Sequence, residues 1–495
     1  MRNSALMRMN ALLRRFREYA VPAGLVCATA VFFSWQLGAV PLVDYDEATY
    51  AQVAMETREN GDLAHLVRLG RPWLDKPPLY FWLAMGSVRL FGEQEWSFRI
   101  PSVLAAMATV WCVYALMARL TRMRAVAAAA SGILMASPIY FMYAREARLD
   151  AGVTLALVAA LYFTVRGWKN PVFLLGILPA LAMGFYMKSF VVFLALPVLL
   201  VYSAAYHHWE WIKSKYLWFG GLAAAALLFP WHYLQYIKFG HEFIQTYFIF
   251  QVLARSVTTL TGTSHILSYA ANLWIYHQPW TAGLLVAMGA LICVRALSRS
   301  HRKISPHVLA PFLSAVIIVG LFTLMRTHLS SYLVPSFPFL AMAGAMCAWE
   351  VSATLIRRRF AYVGIMIILL AFGFFETWQL RYNLVFPYHF EERAAGMRIQ
   401  QDNRGQAPVY IVNWPYHETI RYYGSTDIVP LNLQDSGGRH LKAPFYFLVN
   451  TQAASFLNDT AGNPPTAYPG VQELYRGEYL WLLKSTIDFT LPTFQ

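Results

Sequence analysis

Apolar runs long enough to cross about 30 Å of hydrocarbon recur through the first three quarters of this chain, often close-spaced and separated by short basic clusters. The helix-length criterion gives about eleven spans. They fall near residues 20–42, 78–92 combined with 100–118, 125–143, 151–165, 171–187, 190–205, 216–235, 270–294, 308–325, 333–351 and 361–377. Composition agrees: 58% of the 495 residues are hydrophobic and 13% are charged, where a soluble chain carries about 25% charged. The pattern predicts an α-helical polytopic membrane protein.

Arg2, Arg8, Arg14, Arg15 and Arg17 precede the first run, "VPAGLVCATAVFFSW". Its "ATA" triplet lies inside the apolar run instead of after it, so the run reads as an uncleaved first span and not as a secretory signal. The basic clusters "RLTRMR", "RGWK", "IKSK", "RALSRSHRK" and "IRRR" fall in alternate gaps, which the positive-inside rule makes cytoplasmic together with the N-terminus. The net charge of +14 is thus mostly topological; scattered between spans, it forms no single basic face of the kind nucleic-acid binding needs. An odd span count places the first loop and everything after about residue 378 on the extracytoplasmic side.

Cys27, Cys112, Cys293 and Cys347 all lie in apolar runs, so no disulfide framework, CxxC pair or zinc knuckle is on offer. The tail changes character. "PVYIVNW", "DIVPLNL", "PFYFLVN" and "EYLWLLKS" read as short strands between polar turns, and "YHETIRYYG" as a short helix. The expected organisation is a membrane domain over residues 1–378 and a small α/β domain over 379–495.

Within the first outer loop, "VDYDEATYAQ" gathers Asp44, Asp46 and Glu47. Asp46, Tyr50, Val53 and Thr57 share one helical face, and Gly61-Asp62 is a stop signal, so a helix beginning at Asp46 is expected along the membrane surface. An aspartate there commonly serves only as an N-cap, a reading that stays open for Asp44 and Asp46. Next comes "RPWLDKPPLYFW", where Asp75 and Lys76 precede a stiff Pro77-Pro78 entry to apolar sequence. The plain alternative for Lys76 is a snorkelling lysine. Two further outer turns carry ionisable groups: "YAREARLDAG", with Arg145, Glu146, Arg148 and Asp150, and "GFYMKSF", with Lys188. Such residues pinned between spans are usually paired or functional, although "REARLD" also reads as a self-neutralised surface turn.

"DYDEATYAQVAMETRENGD", "WLDKPPLYFWLAMGSVRLFGEQEWSFRIPSVLA", "REARLD", "GFYMKSFVVFLALP" and "LSSYLVPSFPFLAMA" resemble, in order and spacing, the bacterial members of the protein O-mannosyltransferase superfamily. The subgroup most similar is the one containing the lipid A aminoarabinose transferases. These are GT-C membrane glycosyltransferases that use polyprenyl-phosphate-linked sugars. The resemblance implies a GT-C fold, with Asp46 as general base on the acceptor hydroxyl, Glu47 as its acidic neighbour and Lys76 beside the donor phosphate. It also implies roles for Asp150 in an outer loop and Tyr332 near the substrate cavity. Tyr50, Asp75 and Arg148 are further cavity candidates. By the same resemblance the chain belongs in a Gram-negative inner membrane, with its C-terminal domain periplasmic. The sequence departs from the subgroup in three places: Thr49 stands where an arginine follows the acid pair, "DKPP" replaces "EKPP", and "HLSSYLVP" replaces "KLPxYxxP". These leave the sugar and the acceptor open.

The chemistry makes matching demands. Displacing a polyprenyl phosphate from an anomeric carbon needs a base for the acceptor's proton and positive charge for the departing phosphate. Beside Lys76, the candidates for that charge are Arg145, Arg148, Lys188, Arg255 and Arg326, with Lys188 and Arg326 favoured because they sit at span ends. Attack opposite the leaving group inverts the anomeric centre. No Rossmann fingerprint or P-loop is present, and none is needed without a nucleotide. Asp75 with His265 is a candidate divalent-metal pair, without diagnostic spacing. Two other functions would also suit a chain with many spans. A lipid-linked-sugar transporter predicts repeat symmetry between the halves, whereas these halves look dissimilar. A non-catalytic scaffold leaves the acidic-pair helix and the "DKPP" loop without a role.

Overall fold

The computed structural model describes residues 20–254, 267–297, 304–356, 359–383, 387–403, 407–412, 414, 417–431, 439–451, 466 and 469–490. In chain order the helices are α1 (Ala20–Ser34), α2 (Asp46–Asn60), α3 (Leu79–Phe91), α4 (Glu95–Thr121), α5 (Arg124–Met135), α6 (Pro138–Arg145), α7 (Asp150–Gly167), α8 (Ile177–Lys188), α9 (Ala195–Tyr206) and α10 (Lys215–Phe243). There follow α11 (Ser268–Tyr276), α12 (Trp280–Leu297), α13 (Pro306–Thr323), α14 (Phe337–Val351), α15 (Arg359–Asn383), α16 (Tyr388–Asn403) and α17 (Glu418–Gly424). Two compact units result. One comprises residues 1–37, 73–87 and 99–382; the other comprises 38–72, 88–98 and 383–495.

The first unit is helical, and the chain is a multi-pass membrane protein. Among the described residues, seven helical runs are long and apolar enough to span a bilayer, with the α5–α6 pair as an eighth, and α1, α3 and the start of α12 as shorter apolar helices. Two of the long runs double back. In the run Pro171–Tyr206, a Cβ placed on Gly184 would lie 2.5 Å from Val192 Cγ2, and the Phe185 and Phe193 rings are 5.9 Å apart. Residues eight apart on a straight α-helix are about 12 Å apart along its axis. The reversal occurs at Lys188-Ser189, where Ser189 takes φ 54°, ψ −133°. This puts Lys188 at the apex of a tight turn between 171–187 and 190–205. The run Lys215–Gln251 turns back in the same way at Gly240 (φ 52°), which brings the rings of Trp231 and Tyr247 to 6.0 Å.

Other spans break where the sequence suggested continuity. Residues 78–92 and 100–118 form separate helices, because Gly92 (φ 83°) ends α3. The 125–143 run bends by 66° between α5 and α6, where Pro138 starts the second helix at a position that needs no N–H.

The second unit contains a five-stranded sheet. Its strands are β3 (Val409–Val412), β4 (Ile428–Leu431), β6 (Phe445–Asn450), β7 (Val471–Arg476) and β8 (Leu480–Ser485), in the order β4-β3-β6-β8-β7. The chain also forms two short ladders, β1 (Val67–Arg68) with β2 (Arg71–Pro72) and β5 (His440–Leu441) with β9 (Phe489–Thr490). β3 pairs in parallel with β4 and β6, and β8 runs antiparallel to β6 and β7. Alternation sorts the side chains onto two faces. Phe445, Phe447 and Val449 join Trp481 and Leu483 on one. Tyr446 and Leu448 join Leu480 and Leu482 on the other, which α16 and α17 cover with Ala395, Ile399 and Ile420.

This unit is discontinuous in sequence, so a boundary at residue 378/379 does not describe it. Side chains of the first loop are built into the C-terminal fold. Asp44 accepts hydrogen bonds from the backbone N–H groups of Glu418 (3.1 Å) and Thr419 (2.5 Å) and from the Thr419 hydroxyl (2.7 Å). Arg68 pairs with Glu418, Tyr422 donates to Glu93 at 3.2 Å, and Tyr423 donates to Glu95 at 3.0 Å.

Candidate functional site

The residues expected at the site fall in both units. In the second, α2 begins at Asp46 as anticipated, and Gly61 closes it in the left-handed conformation (φ 80°), donating to the carbonyls of Thr57 and Arg58. Its burial is not one-sided: every residue from Glu47 to Met55 is buried, because the helix is enclosed within its unit instead of lying half-solvated. Neither aspartate caps it. Its N-cap position is Tyr45, without a side-chain bond, and Asp44 caps α17. Glu47 is 2% exposed and accepts from the Val43 N–H at 3.2 Å, tying the first turn to the preceding strand of chain. Asp46 is half-buried at the helix start, and Tyr50 is buried one turn on.

α17 carries charges that the sequence reading did not single out. Burial alone would raise the Glu418 carboxyl, but Arg68 and Arg421 hold it below the usual glutamate value. Arg421 donates to both Glu418 oxygens at 2.9 Å. Next to them His417 is held below the ordinary imidazole value by burial and by Arg421, and its Nδ1 has no hydrogen-bond partner.

In the first unit, Asp75, Lys76, Lys188 and Tyr332 line one cavity of about 320 Å³, with Phe190, Phe193, Leu321 and Phe322 among its apolar walls. Lys76 enters it from the segment before the Pro77-Pro78 step and donates to Gln251 Oε1 at 3.0 Å. Gln251 lies just past the Gly240 reversal, a partner that only the fold reveals. Lys188, at its own reversal, forms a salt bridge to Asp150, the first residue of α7, and lies 5.5 Å from the Tyr332 ring centre. Tyr332 stacks on Phe322 at 4.8 Å.

Arg148 extends this ion pair. It lies 3.9 Å from Asp150 and 3.2 Å from Glu146, and its guanidinium sits 4.9 Å from the Tyr143 ring. The "REARLD" turn is therefore neutralised internally as the plain reading had it, while Asp150 also reaches Lys188. Arg145 donates to the Trp35 carbonyl at 2.6 Å, and Arg326 is exposed and does not line the cavity. Asp75 stands as a lone carboxylate: His265 and Arg255 lie outside the described residues, and no group of three His, Cys, Asp or Glu that could hold a metal exists among those described. Where the sequence departs most from its look-alikes, His328 bonds to the Ser268 hydroxyl (2.8 Å) and the Thr323 carbonyl (3.2 Å).

Comparison with known proteins adds the frame. The crystal structure of ArnT from Cupriavidus metallidurans bound to undecaprenyl phosphate superimposes with a TM-score of 0.72 over 93% of this chain and 97% of that one, at 16% identity. The chain has the GT-C fold. The Archaeoglobus fulgidus oligosaccharyltransferase shares it more distantly, with a TM-score of 0.54 over 88% of this chain and 68% of that one, at 10% identity. Residues 75–234 match the family model described as dolichyl-phosphate-mannose-protein mannosyltransferase, a range that contains Lys76, Asp150 and Lys188. Among curated sequences, the undecaprenyl phosphate-alpha-4-amino-4-deoxy-L-arabinose arabinosyl transferase of Aeromonas salmonicida is 28% identical over 64% of this chain. That of Sodalis glossinidius is 27% identical over 66%. These matches span 58% and 59% of the relatives' own lengths. The chain thus combines a GT-C fold with sequence likeness of the aminoarabinose-transferase type.

Proposed function

We propose that this chain is an integral inner-membrane glycosyltransferase that moves a sugar from a polyprenyl-phosphate donor to an acceptor hydroxyl on the extracytoplasmic side. The observation that carries this reading is the cavity holding Lys76 and Lys188 against phenylalanine and leucine walls, in a chain of GT-C fold. Ammonium groups suit a phosphate whose charge grows as the sugar leaves, and apolar walls suit the carrier lipid.

In this mechanism Lys76, oriented by Gln251, stabilises the departing phosphate. Lys188, anchored by Asp150, adds a second positive centre beside the Tyr332 ring. Asp46 takes the acceptor's proton as the acceptor oxygen attacks the anomeric carbon from the face opposite the phosphate, so the configuration inverts. Glu47 holds the backbone that presents Asp46. A positioned base contributes about 10²- to 10⁴-fold.

The test is transfer by the purified chain from an undecaprenyl-phosphate-linked sugar, beginning with the aminoarabinose donor that the curated relatives' names specify, to lipid A and to envelope glycans. Envelope mass spectrometry with and without the chain would identify the sugar and acceptor. Asp46→Asn and Lys76→Ala should each abolish product while leaving the protein folded. Wild-type turnover in Asp46→Asn would remove Asp46 from the mechanism. A lipid-linked-sugar transporter would yield no product with any donor.

A further inference from the structure

Two consecutive residues at the start of α17 hold the chain on both sides of α2. Ahead of α2, Asp44 Oδ2 accepts from the Glu418 N–H at 3.1 Å, and Asp44 Oδ1 accepts from the Thr419 N–H at 2.5 Å. The Thr419 hydroxyl lies 2.7 Å from Asp44 Oδ1 and 3.1 Å from the Leu42 carbonyl oxygen. Leu42 in turn donates its own N–H to the Tyr423 hydroxyl at 3.0 Å. Beyond α2, Arg68 pairs with Glu418, and the Val67 N–H donates to Thr57 Oγ1 in the last turn of α2 at 3.0 Å.

The segment so gripped leads directly into Asp46. Val43 is bonded twice to the first turn of α2: its N–H donates to Glu47 at 3.2 Å, and its carbonyl accepts from the Ala48 N–H at 3.3 Å. Residues 42–44 therefore transmit the position of α17 to the helix start. Thr419 is 0% exposed, and the two acceptors that share its single hydroxyl proton both lie on those three residues. Its branched Cβ restricts the side chain to few rotamers, so the hydroxyl is aimed at a fixed point. Ile420, the next residue, packs against the sheet and seats α17. Such rigidity matters for a general base, which must be held to within about 0.5 Å, and about 1 Å of misplacement costs about 10²-fold in rate.

We infer that Thr419 is a positioning residue for the general base, setting where Asp46 stands through the segment from Leu42 to Asp44. This rests on the catalytic reading above. It makes the C-terminal fold part of the machinery of transfer: α17 acts on the base, whereas Lys76 and Lys188, which face the donor, belong to the first unit.

The test uses the full chain in nanodiscs, with undecaprenyl-phosphate-linked aminoarabinose as donor, lipid A as acceptor and undecaprenyl phosphate as a binding probe, and with kcat referred to the folded fraction. Thr419→Val should lower kcat about tenfold or more, with donor KM and undecaprenyl phosphate affinity unchanged, and Thr419→Ser should restore most of the rate. Ile420→Val, on the same helix but facing the sheet, should lose stability and keep its kcat. Tyr423→Phe, which releases the Leu42 N–H, should lower kcat in the same direction and keeps the test decisive if Thr419→Val does not fold. No turnover by the wild-type chain with any undecaprenyl-phosphate-linked sugar, or wild-type turnover in Asp46→Asn, would overturn the catalytic reading and this inference with it. An inactive Asp46→Asn beside Thr419→Val at wild-type kcat, or a Thr419→Val whose donor affinity falls as far as its kcat, would overturn this inference alone.

Discussion

Asp44 caps a helix that begins 374 residues further along the chain, accepting from the Glu418 and Thr419 backbone N–H groups at 3.1 and 2.5 Å. The cap joins the first loop to the C-terminal fold and gives the least ambiguous stability test. Asp44→Ala should destabilise the second unit by about 1–2 kcal/mol, the upper range for losing an N-cap, and Asp44→Asn by less. Limited proteolysis between residues 383 and 431, followed against temperature, measures both.

Lys188 and Asp150 should behave as a coupled pair. Their side chains are 14% and 4% exposed, so removing Asp150 strands the Lys188 charge, at a cost of about 3–5 kcal/mol, while removing Lys188 costs less because Arg148 stays 3.9 Å from Asp150. The double variant Lys188→Met/Asp150→Leu should recover most of the loss in thermal unfolding. A full cycle reads the coupling, and additive losses would show that the two charges do not stabilise one another.

Gly184 sits where the chain reverses, with Val192 Cγ2 and Ala156 Cβ each 2.5 Å from the position a Cβ would take. Gly184→Ala should overpack the turn and lower stability by about 1–3 kcal/mol. Because Lys188 occupies the same turn, donor KM should rise as well.

Gln251→Leu should leave Lys76 in place but badly aimed. Hydrogen bonds to charged groups contribute about 1.5–3 kcal/mol, so donor KM or kcat should worsen by about tenfold or more, with little change in the unfolding midpoint. Gln251→Glu, which keeps an acceptor, should retain more activity than Gln251→Leu.

The second unit should be acid-sensitive in two windows. His417 is held below its ordinary value, so the folded state resists protonation there and stability falls as pH drops below about 6.5. Glu418 is held below the usual glutamate value. Its contribution is complete above about pH 4.3 and is lost as pH falls further through the folded-state value. His417→Gln should flatten the first window and Glu418→Gln the second, as read by unfolding midpoints from pH 8 to 3.

Local patterns were legible because their causes are local. The helix from Asp46 to the Gly61 stop, the four apolar strands of the tail, and Lys188 in a tight turn all follow from periodicity and turn chemistry. The strand Val471–Arg476 escaped notice because it is an edge strand with polar, partly exposed residues and no apolar alternation. Gln251 and Glu418 were invisible for another reason: their partners Lys76 and Arg68 lie 175 and 350 residues away, and no spacing rule reaches that far. The first-loop aspartates illustrate a third case. Sequence offered a cap for Asp44 and a cap or a catalyst for Asp46, and only the fold assigns the cap to Asp44, acting on α17.

The second unit, assembled from residues 38–72, 88–98 and 383–495, imposes an order on biogenesis. Translation delivers its opening pieces hundreds of residues before their partners, so Asp44, Arg68, Glu93 and Glu95 must wait until Glu418, Thr419, Tyr422 and Tyr423 have been made. A nascent chain stalled or cleaved ahead of those residues would display these acids and Arg68 without them, a recognisable signature for quality-control proteases of an unfinished molecule.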